Sequence, residues 1–282
     1  MTDASFGPVV STAWLADRLG DPTLRIVDAT WYLPHLRRDA RAEFREAHVP
    51  GAVYFDIDAI ADRHRGLPHM LPDAATFAEA AGALGVGDGD RVAVYAGKHL
   101  TASARVWWTF RVFGHDRVAV LDGGFPRWRG EGRPIEAGEP RPVRRHLTAR
   151  LHPELVTDLD GVRRNLGTRV EQVVDARSAG RFAGTEPEPR PGLRGGHIPG
   201  SLSLPYDRLF RPDGTLLLRD DLRRVFEAAR VDLDRPIVTT CGSGVTACVL
   251  ALGLDLVGRP DVAVYDGSWT EWGGHDDVPV EP

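Results

Sequence analysis

Short apolar runs alternate with longer amphipathic stretches along the whole chain. The short runs are rich in valine and isoleucine, which is typical of buried strands, and the longer stretches have helical spacing. The predicted strands cover residues 24–27, 92–95, 170–174 and 236–239, and the predicted helices cover residues 76–84, 102–113, 222–229 and 245–256. This alternation predicts an α/β fold in which parallel strands are buried under helices.

The second half of the chain repeats the first. The tripeptide Val27-Asp28-Ala29 returns as Val174-Asp175-Ala176, and the strand that starts at Arg91 can be laid over the one that starts at Arg235. A repeat of this length indicates a duplicated domain rather than a solenoid. We predict domains at 1–132 and 151–282 with a linker rich in proline and arginine at 133–150. The alignment sets Gly97 opposite Cys241, so the first copy is predicted to be catalytically silent.

Cys241 lies on the predicted turn between a strand and a helix. The run reads Cys241-Gly242-Ser243-Gly244-Val245-Thr246. Glycines let a loop curl so that its N–H groups, together with the positive end of the following helix, stabilise a thiolate. A lone cysteine beside glycines is more often structural than catalytic. The duplicated framework around Cys241 favours the catalytic interpretation, that of a nucleophile.

A phosphatase loop is the main rival for this motif. Such a loop places an arginine six residues after its cysteine to bind phosphate through two hydrogen bonds. Here that position is Ala247, and the loop itself contains no cation. Phosphate ester hydrolysis is therefore disfavoured.

Two further motifs resemble signatures of the tandem-domain rhodanese family, which are sulfurtransferases. They are Phe44-Arg45-Glu46-Ala47-His48-Val49-Pro50-Gly51-Ala52 and Tyr265-Asp266-Gly267-Ser268-Trp269-Thr270-Glu271-Trp272. The resemblance implies two tandem rhodanese-like domains, each a mostly parallel sheet with helices on both faces. It also implies Cys241 as the nucleophile, and no metal or organic cofactor.

The cysteine loop is similar to that of the 3-mercaptopyruvate sulfurtransferases within this family. Thiosulfate enzymes typically carry basic residues directly after the cysteine, and a dianionic donor gains from cations there. Gly242 and Ser243 supply none. The resemblance implies Arg181 and Arg190 as substrate-binding residues beside the loop residues Gly242, Gly244, Val245 and Thr246. Arginine forks suit a carboxylate and a ketone.

Most other arginines are expected to be solvated or paired on the surface, and this expectation includes Arg163, Arg177 and Arg223. A proton relay is implied by the resemblance alone. In that relay Ser243, His69 and Asp58 would handle protons on the donor thiol and the leaving enolate.

Three functions stay open at this point. The leading one is transfer of sulfur from 3-mercaptopyruvate through a Cys241 persulfide to a thiol or cyanide, with release of pyruvate. The second is thiosulfate sulfurtransferase activity, and the third is a non-catalytic sulfur-carrying or binding module. The resemblance implies thioredoxin or small thiols as acceptors.

Composition narrows the partners and the compartment. The net charge is −5 over 282 residues and the arginines are spread along the chain, so neither nucleic acid nor a membrane surface is an expected partner. Two cysteines do not make a disulfide scaffold, and a reactive thiol suits a reducing compartment. The first residues lack the charge and apolar pattern of a signal peptide, which leads us to expect a cytoplasmic protein.

Overall fold

The computed structural model describes residues 6–97 and 100–282. The chain divides into two compact units. One contains the chain through Ala61, Pro72–Leu151 and Asp213–Thr215. The other contains Asp62–Leu71, His152–Pro212 and Leu216–Pro282. Each unit is built around its own five-stranded sheet.

The first unit holds a parallel sheet in the order β1-β5-β4-β2-β3. Its strands are β1 Val9–Val10, β2 Leu24–Asp28, β3 Ala52–Tyr54, β4 Arg91–Tyr95 and β5 Val118–Leu121. Its helices are α1 Thr12–Ala16, α2 Ala40–Glu46, α3 Ile57–Ile60, α4 Ala74–Ala83, α5 Thr101–Val112 and α6 Gly124–Gly130.

The second unit repeats that topology in the order β6-β10-β9-β7-β8, again with parallel pairing. Its strands are β6 Val156–Thr157, β7 Gln172–Asp175, β8 Leu202–Ser203, β9 Ile237–Thr240 and β10 Ala263–Tyr265. Its helices are α7 Leu159–Thr168, α8 Ala179–Phe182, α9 Arg219–Ala228, α10 Ala247–Leu256 and α11 Ser268–Trp272. The predicted α/β fold and its duplication are confirmed.

The central strands are buried on both faces, which explains their continuous apolar sequence. In β4, Ala93 and Tyr95 pack into a cluster with Trp14 and Trp128, while Val92 and Val94 point to the other face and are equally buried. All four residues of β9 are buried as well. Burial on both faces fixes the central strands in place. Folds of this kind bind ligands at the carboxyl ends of the strands.

The helix N-termini follow local rules. Asp39, Asp73 and Asp158 cap α2, α4 and α7 by accepting a hydrogen bond from a backbone N–H of the first turn. The longest described helix, α5, has 12 residues. Within the described ranges, no helix combines the length and the apolar character that crossing a membrane requires.

Candidate active site

Cys241 directly follows β9, the central strand of the second sheet, and its side chain is buried. The loop then turns through Gly244, whose φ of +72° lies in the left-handed region that glycine adopts readily. It enters α10 at Ala247. The cysteine therefore lies at the carboxyl edge of the sheet and at the start of a ten-residue helix.

A buried hydroxyl fixes the shape of this loop. Ser268 Oγ accepts hydrogen bonds from the N–H groups of Cys241, at 3.2 Å, and Gly244, at 3.1 Å. The same hydroxyl donates to the carbonyl of Tyr265 at 2.7 Å. Ser268 is fully buried and has a φ of 51°, which is unusual for a residue other than glycine. The hydroxyl thus ties the two ends of the turn to α11.

The N-terminal part of α11 completes the attachment. The N–H of Trp269 donates to the carbonyl of Cys241 at 2.9 Å, and Thr270 donates both its N–H and its hydroxyl to the carbonyl of Gly242. Because α11 donates hydrogen bonds to both carbonyls, the conformation of the loop backbone is fixed before any ligand binds.

Four loop N–H groups remain as donors for an anion. Within the described residues, the N–H groups of Gly242, Ser243, Val245 and Thr246 have no hydrogen-bond acceptor. Gly244 was also predicted to bind substrate, but its N–H donates to Ser268 Oγ. The remaining four belong to a short loop that leads into α10, an arrangement that suits a thiolate or another anion.

Arg181 lies against this loop. A Cβ added at Gly242 would come within 2.8 Å of the Arg181 guanidinium, so only glycine leaves room for it there. Arg181 Nη2 also pairs with the carboxylate of Glu188 at 2.5 Å. Gly242, which follows the cysteine and carries no charge itself, is therefore covered by the guanidinium of Arg181 from α8.

The expectation that Arg177 is a solvated surface residue is wrong. Its guanidinium is fully buried, pairs with Asp175 and Glu188 at 2.7 Å each, and lies 4.1 Å from the ring centroid of Trp269. Burial opposes its charge, but the two carboxylates outweigh that cost and raise the pKa of Arg177. Its position two residues after the end of a buried strand was the signal available in the sequence. Asp175 is a buried carboxylate, and it needs a partner.

Arg177, Arg181, Asp175 and Glu188 form one cluster, which we call the arginine clamp. Glu188 is shared by the two arginines, and its side chain is only 3% exposed. The two positive and two negative charges cancel. The clamp therefore holds Arg181 in place and leaves little net field for an approaching anion.

Arg190 and His69 meet in the second unit. Arg190 Nη2 lies 3.4 Å from His69 Nε2, so the imidazole accepts from the guanidinium through that nitrogen. The segment that carries His69, Asp62–Leu71, belongs to this unit although it comes from the first half of the chain. The N–H of Leu71 donates to Asp266 Oδ2 at 2.8 Å, directly after β10. His69 and Arg190 thus lie at the carboxyl edge of the second sheet.

The other members of the predicted relay have separate surroundings. Ser243 is buried in the cysteine loop, with 8% of its surface exposed. Asp58 belongs to the first unit, where its carboxylate accepts a hydrogen bond from Trp31 Nε1 at 2.7 Å. The relay of Ser243, His69 and Asp58 stays a prediction.

Residues 11–131 and 158–275 each match the family model described as a rhodanese-like domain. This chain belongs to the rhodanese family. It is 47% identical to 3-mercaptopyruvate sulfurtransferase from Homo sapiens, over 94% of this chain and 91% of the relative. It is 46% identical to thiosulfate sulfurtransferase from Bos taurus, again over 94% and 91%.

A solved structure extends the same similarity to the fold. The 3-mercaptopyruvate sulfotransferase SseA from Escherichia coli superposes with a TM-score of 0.86 at 38% identity, covering 93% of this chain and 98% of that chain. The identities to these two differently named relatives are nearly equal. Overall sequence similarity therefore does not decide which sulfur donor this chain uses. The site residues have to do so.

In the first copy, the residue opposite Cys241 differs from the one that the sequence alignment predicted. The N–H of Ala29 donates to Tyr95 and that of Ala176 to Thr240, which aligns Ala96 with Cys241. The N–H of Phe125 bonds to Ala96 just as that of Trp269 bonds to Cys241. Gly97 is therefore the counterpart of Gly242. Laying Arg91 over Arg235 shifted the strands by one residue.

Sequence reasoning missed Ser268 as part of the rhodanese site. In the first copy its counterpart is Gly124, which has a similar φ of 56°. A serine that replaces glycine in a left-handed conformation needs a compensating contact. That replacement within the repeated Asp-Gly motif was the signal in the sequence.

Proposed function

We propose that this rhodanese transfers the sulfur of 3-mercaptopyruvate, through a persulfide on Cys241, to a thiol or to cyanide, and releases pyruvate. The observation that carries the choice of donor is the charge balance beside Cys241. The arginine nearest to the loop is already neutralised by Glu188, and Gly242 and Ser243 add no charge. A dianion such as thiosulfate gains little there, whereas a monoanionic ketoacid uses the hydrogen-bond donors.

In the first half-reaction the Cys241 thiolate attacks the sulfur of mercaptopyruvate. A sulfur–sulfur bond forms, the carbon–sulfur bond breaks, and its electron pair stays on carbon as the enolate of pyruvate. The proton of the donor thiol ends on that carbon, which leaves an anionic persulfide on Cys241. We assign this proton transfer to Ser243 and His69.

In the second half-reaction an acceptor thiolate attacks the outer sulfur of the persulfide. The new sulfur–sulfur bond forms on the acceptor, and Cys241 leaves as a thiolate. With cyanide as acceptor the product is thiocyanate. The N–H groups of Gly242, Ser243, Val245 and Thr246, which have no acceptor within the described residues, would stabilise the anion in both states without rearranging.

Arg190 and Arg181 would divide the recognition of the donor. Arg190 lies next to His69, so a carboxylate bound to its guanidinium would lie beside the proposed acid–base group. Arg181 covers Gly242 and would hold the ketone or the second carboxylate oxygen. Both positions use guanidinium donors that are held before the donor binds.

The test is a pair of initial-rate series with 3-mercaptopyruvate and with thiosulfate, using cyanide as the common acceptor and measuring pyruvate and thiocyanate. We expect a kcat/KM at least tenfold higher for mercaptopyruvate. Thiosulfate sulfurtransferase activity is the second candidate, supported by the relative of that name at 46% identity. A preference for thiosulfate would overturn our assignment of the donor and keep Cys241.

Arg190→Ala separates donor binding from structure better than Arg181→Ala. Loss of Arg181 would also remove one partner of the buried carboxylate of Glu188. We expect Arg190→Ala to lower kcat/KM for mercaptopyruvate by about 2–4 kcal/mol of transition-state stabilisation while the protein stays folded. Arg190→Lys, which keeps the charge and loses the fork, should recover only part of it. Unchanged kinetics in Arg190→Ala would remove this residue from the site.

Thioredoxin and small thiols are the acceptors that we propose, in a cytoplasmic setting. Cys241 and Cys248 are both free thiols, which suits a reducing compartment. Coupling turnover with mercaptopyruvate to thioredoxin, thioredoxin reductase and NADPH would test the protein acceptor. Pyruvate release that does not depend on thioredoxin would argue against it.

A further inference from the structure

A second cavity lies at the amino ends of the strands of the second sheet, at the opposite edge from Cys241. Its volume is about 270 Å³, and it is bounded by the start of β7 and by the residues that precede β9. The ionised lining residues are Arg169, Arg230, Arg235 and Glu171. Three guanidinium groups and one carboxylate leave two positive charges. The sulfur-transfer chemistry uses none of them.

The guanidinium groups of this cavity are only partly used. Arg169 donates to the carbonyl of Pro199 at 3.3 Å and lies over Gly200, where an added Cβ would overlap it. Arg235 donates to the carbonyl of Arg169 at 2.6 Å. Within the described part of the chain, neither these two arginines nor Arg230 form an ion pair with a carboxylate. Each guanidinium carries five N–H donors, so most of them remain for a ligand.

The corresponding edge of the first sheet carries a different arrangement of charged residues. The hydrogen-bond register that aligns Ala96 with Cys241 also aligns Asp90 with Arg235. Asp90 is 2% exposed and pairs with Arg25 at 3.3 Å and with Arg145 at 3.1 Å. In the first unit a buried acid pairs with two arginines at this edge, whereas in the second unit an arginine, Arg235, stands at the position of that acid.

Two of the arginines also occupy backbone conformations that favour glycine. Arg230 has a φ of 63° and Arg169 a φ of 53°. The counterpart of Arg230 in the first unit is Gly85, which has a φ of 80° and the same backbone hydrogen bonds around it. Side chains in the left-handed region are disfavoured and usually retained for a reason. Here both of them border one cavity.

We propose that Arg169, Arg230 and Arg235 form a binding site for a compact phosphate-bearing anion of charge −2 or greater. Planar guanidinium forks match phosphate oxygens through paired hydrogen bonds. Two net positive charges balance such a ligand, and a cavity of about 270 Å³ admits a phosphate or pyrophosphate group rather than a large cofactor. The proposal does not depend on the sulfur donor.

Calorimetric titration of the full-length protein with pyrophosphate, at constant ionic strength, tests this site. We expect saturable binding to the wild type and at least a tenfold weaker Kd in Arg230→Gly. That variant suits the backbone conformation, so its melting temperature without ligand should equal or exceed that of the wild type. Equal affinities of the two proteins, or no binding to the wild type, would overturn the proposal.

Two further variants separate this site from the catalytic one. Arg164→Ala removes an exposed arginine on the same helix as the cavity wall and should bind pyrophosphate like the wild type. Arg190→Ala should also keep the wild-type affinity, because Arg190 lies at the other edge of the sheet. Loss of binding in Arg190→Ala together with normal binding in Arg230→Gly would assign the anion to the catalytic site and overturn the proposal.

Discussion

The two sheets share one strand order, yet the loop after the central strand is equipped differently in each unit. The second unit has Cys241, Ser268 and Arg177 where the first has Ala96, Gly124 and Thr30. In the first unit Thr30 Oγ1 accepts the N–H of Gly97 at 2.7 Å, so a local hydroxyl fills the space that Arg181 takes over Gly242. The fold therefore fixes where the loop lies at the end of the central strand. The side chains on and around the loop decide whether it can hold a reactive thiol.

The largest effect should come from moving the thiol between the units. Cys241→Ala should lower sulfur transfer by about 10³-fold or more, because it removes the thiol on which we propose that the persulfide forms. Adding Ala96→Cys to it should not restore activity, since that loop lacks the serine and the arginine clamp. Thiocyanate formation measures both. Substantial rescue by the double variant would show that the surrounding contacts are dispensable.

The next largest effect should follow from breaking the arginine clamp. Arg177→Met roughly keeps the volume of the side chain, but it leaves Asp175 buried without the arginine that pairs with it and removes one of the two arginine partners of Glu188. We expect the free energy of unfolding to fall by about 3–5 kcal/mol. Denaturant unfolding measures this, with Thr30→Val in the first unit as the matched change. An equal loss in both variants would contradict the special role of Arg177.

A smaller effect is expected at Ser268. Ser268→Ala removes the acceptor for two buried N–H groups and should lower the free energy of unfolding by about 1–3 kcal/mol. Ser268→Gly also loses the hydroxyl but adopts the positive φ without strain, as Gly124 does. It should therefore be about 1 kcal/mol more stable than the alanine variant.

Kinetics separate a positioning role of Ser268 from a purely structural one. If the hydroxyl sets the loop geometry, both variants should slow persulfide formation at temperatures where they are fully folded. Wild-type rates of persulfide formation in the folded variants would count against positioning.

The smallest effect concerns Asp28, a buried acid of the first unit. Asp28 corresponds to Asp175, but Thr30 stands where Arg177 stands in the second unit, and burial raises the pKa of Asp28 although Thr30 donates to it. Folding therefore disfavours its charged form. The contribution of Asp28 to stability is fully present below its ordinary pKa of 3.8 and is lost as the pH rises through the folded value.

Asp28→Asn should accordingly gain stability relative to the wild type as the pH is raised from about 3 to about 7. Unfolding curves of both proteins across that range provide the measurement. A difference that does not change with pH would mean that Asp28 keeps its charge on folding.

The fold was largely predictable from the sequence, because buried strands and duplicated motifs are local patterns. Each predicted strand and helix lies within a few residues of an observed one. The one-residue shift at Ala96 arose where Pro236 interrupts the match between the strands, and only backbone pairing reveals it.

The site was less predictable than the fold. Cys241 and its loop follow from a contiguous motif, whereas the clamp joins Asp175 and Arg177 to Glu188, which lies beyond a helix and a turn. Ser268 acts on residues more than twenty positions away. Such contacts depend on how distant segments return to the same sheet edge, and spacing along the chain does not encode them.

The exchange of Asp62–Leu71 into the second unit bears on whether the two halves can be separated. A gene fragment that begins at the predicted linker would encode the second sheet, Cys241, Arg181 and Arg190 but would lack His69. The missing decapeptide also carries the N–H of Leu71 that bonds to Asp266. The second unit is therefore not encoded by one continuous stretch of the chain, and a fragment cut at the linker would lack a segment that belongs to it.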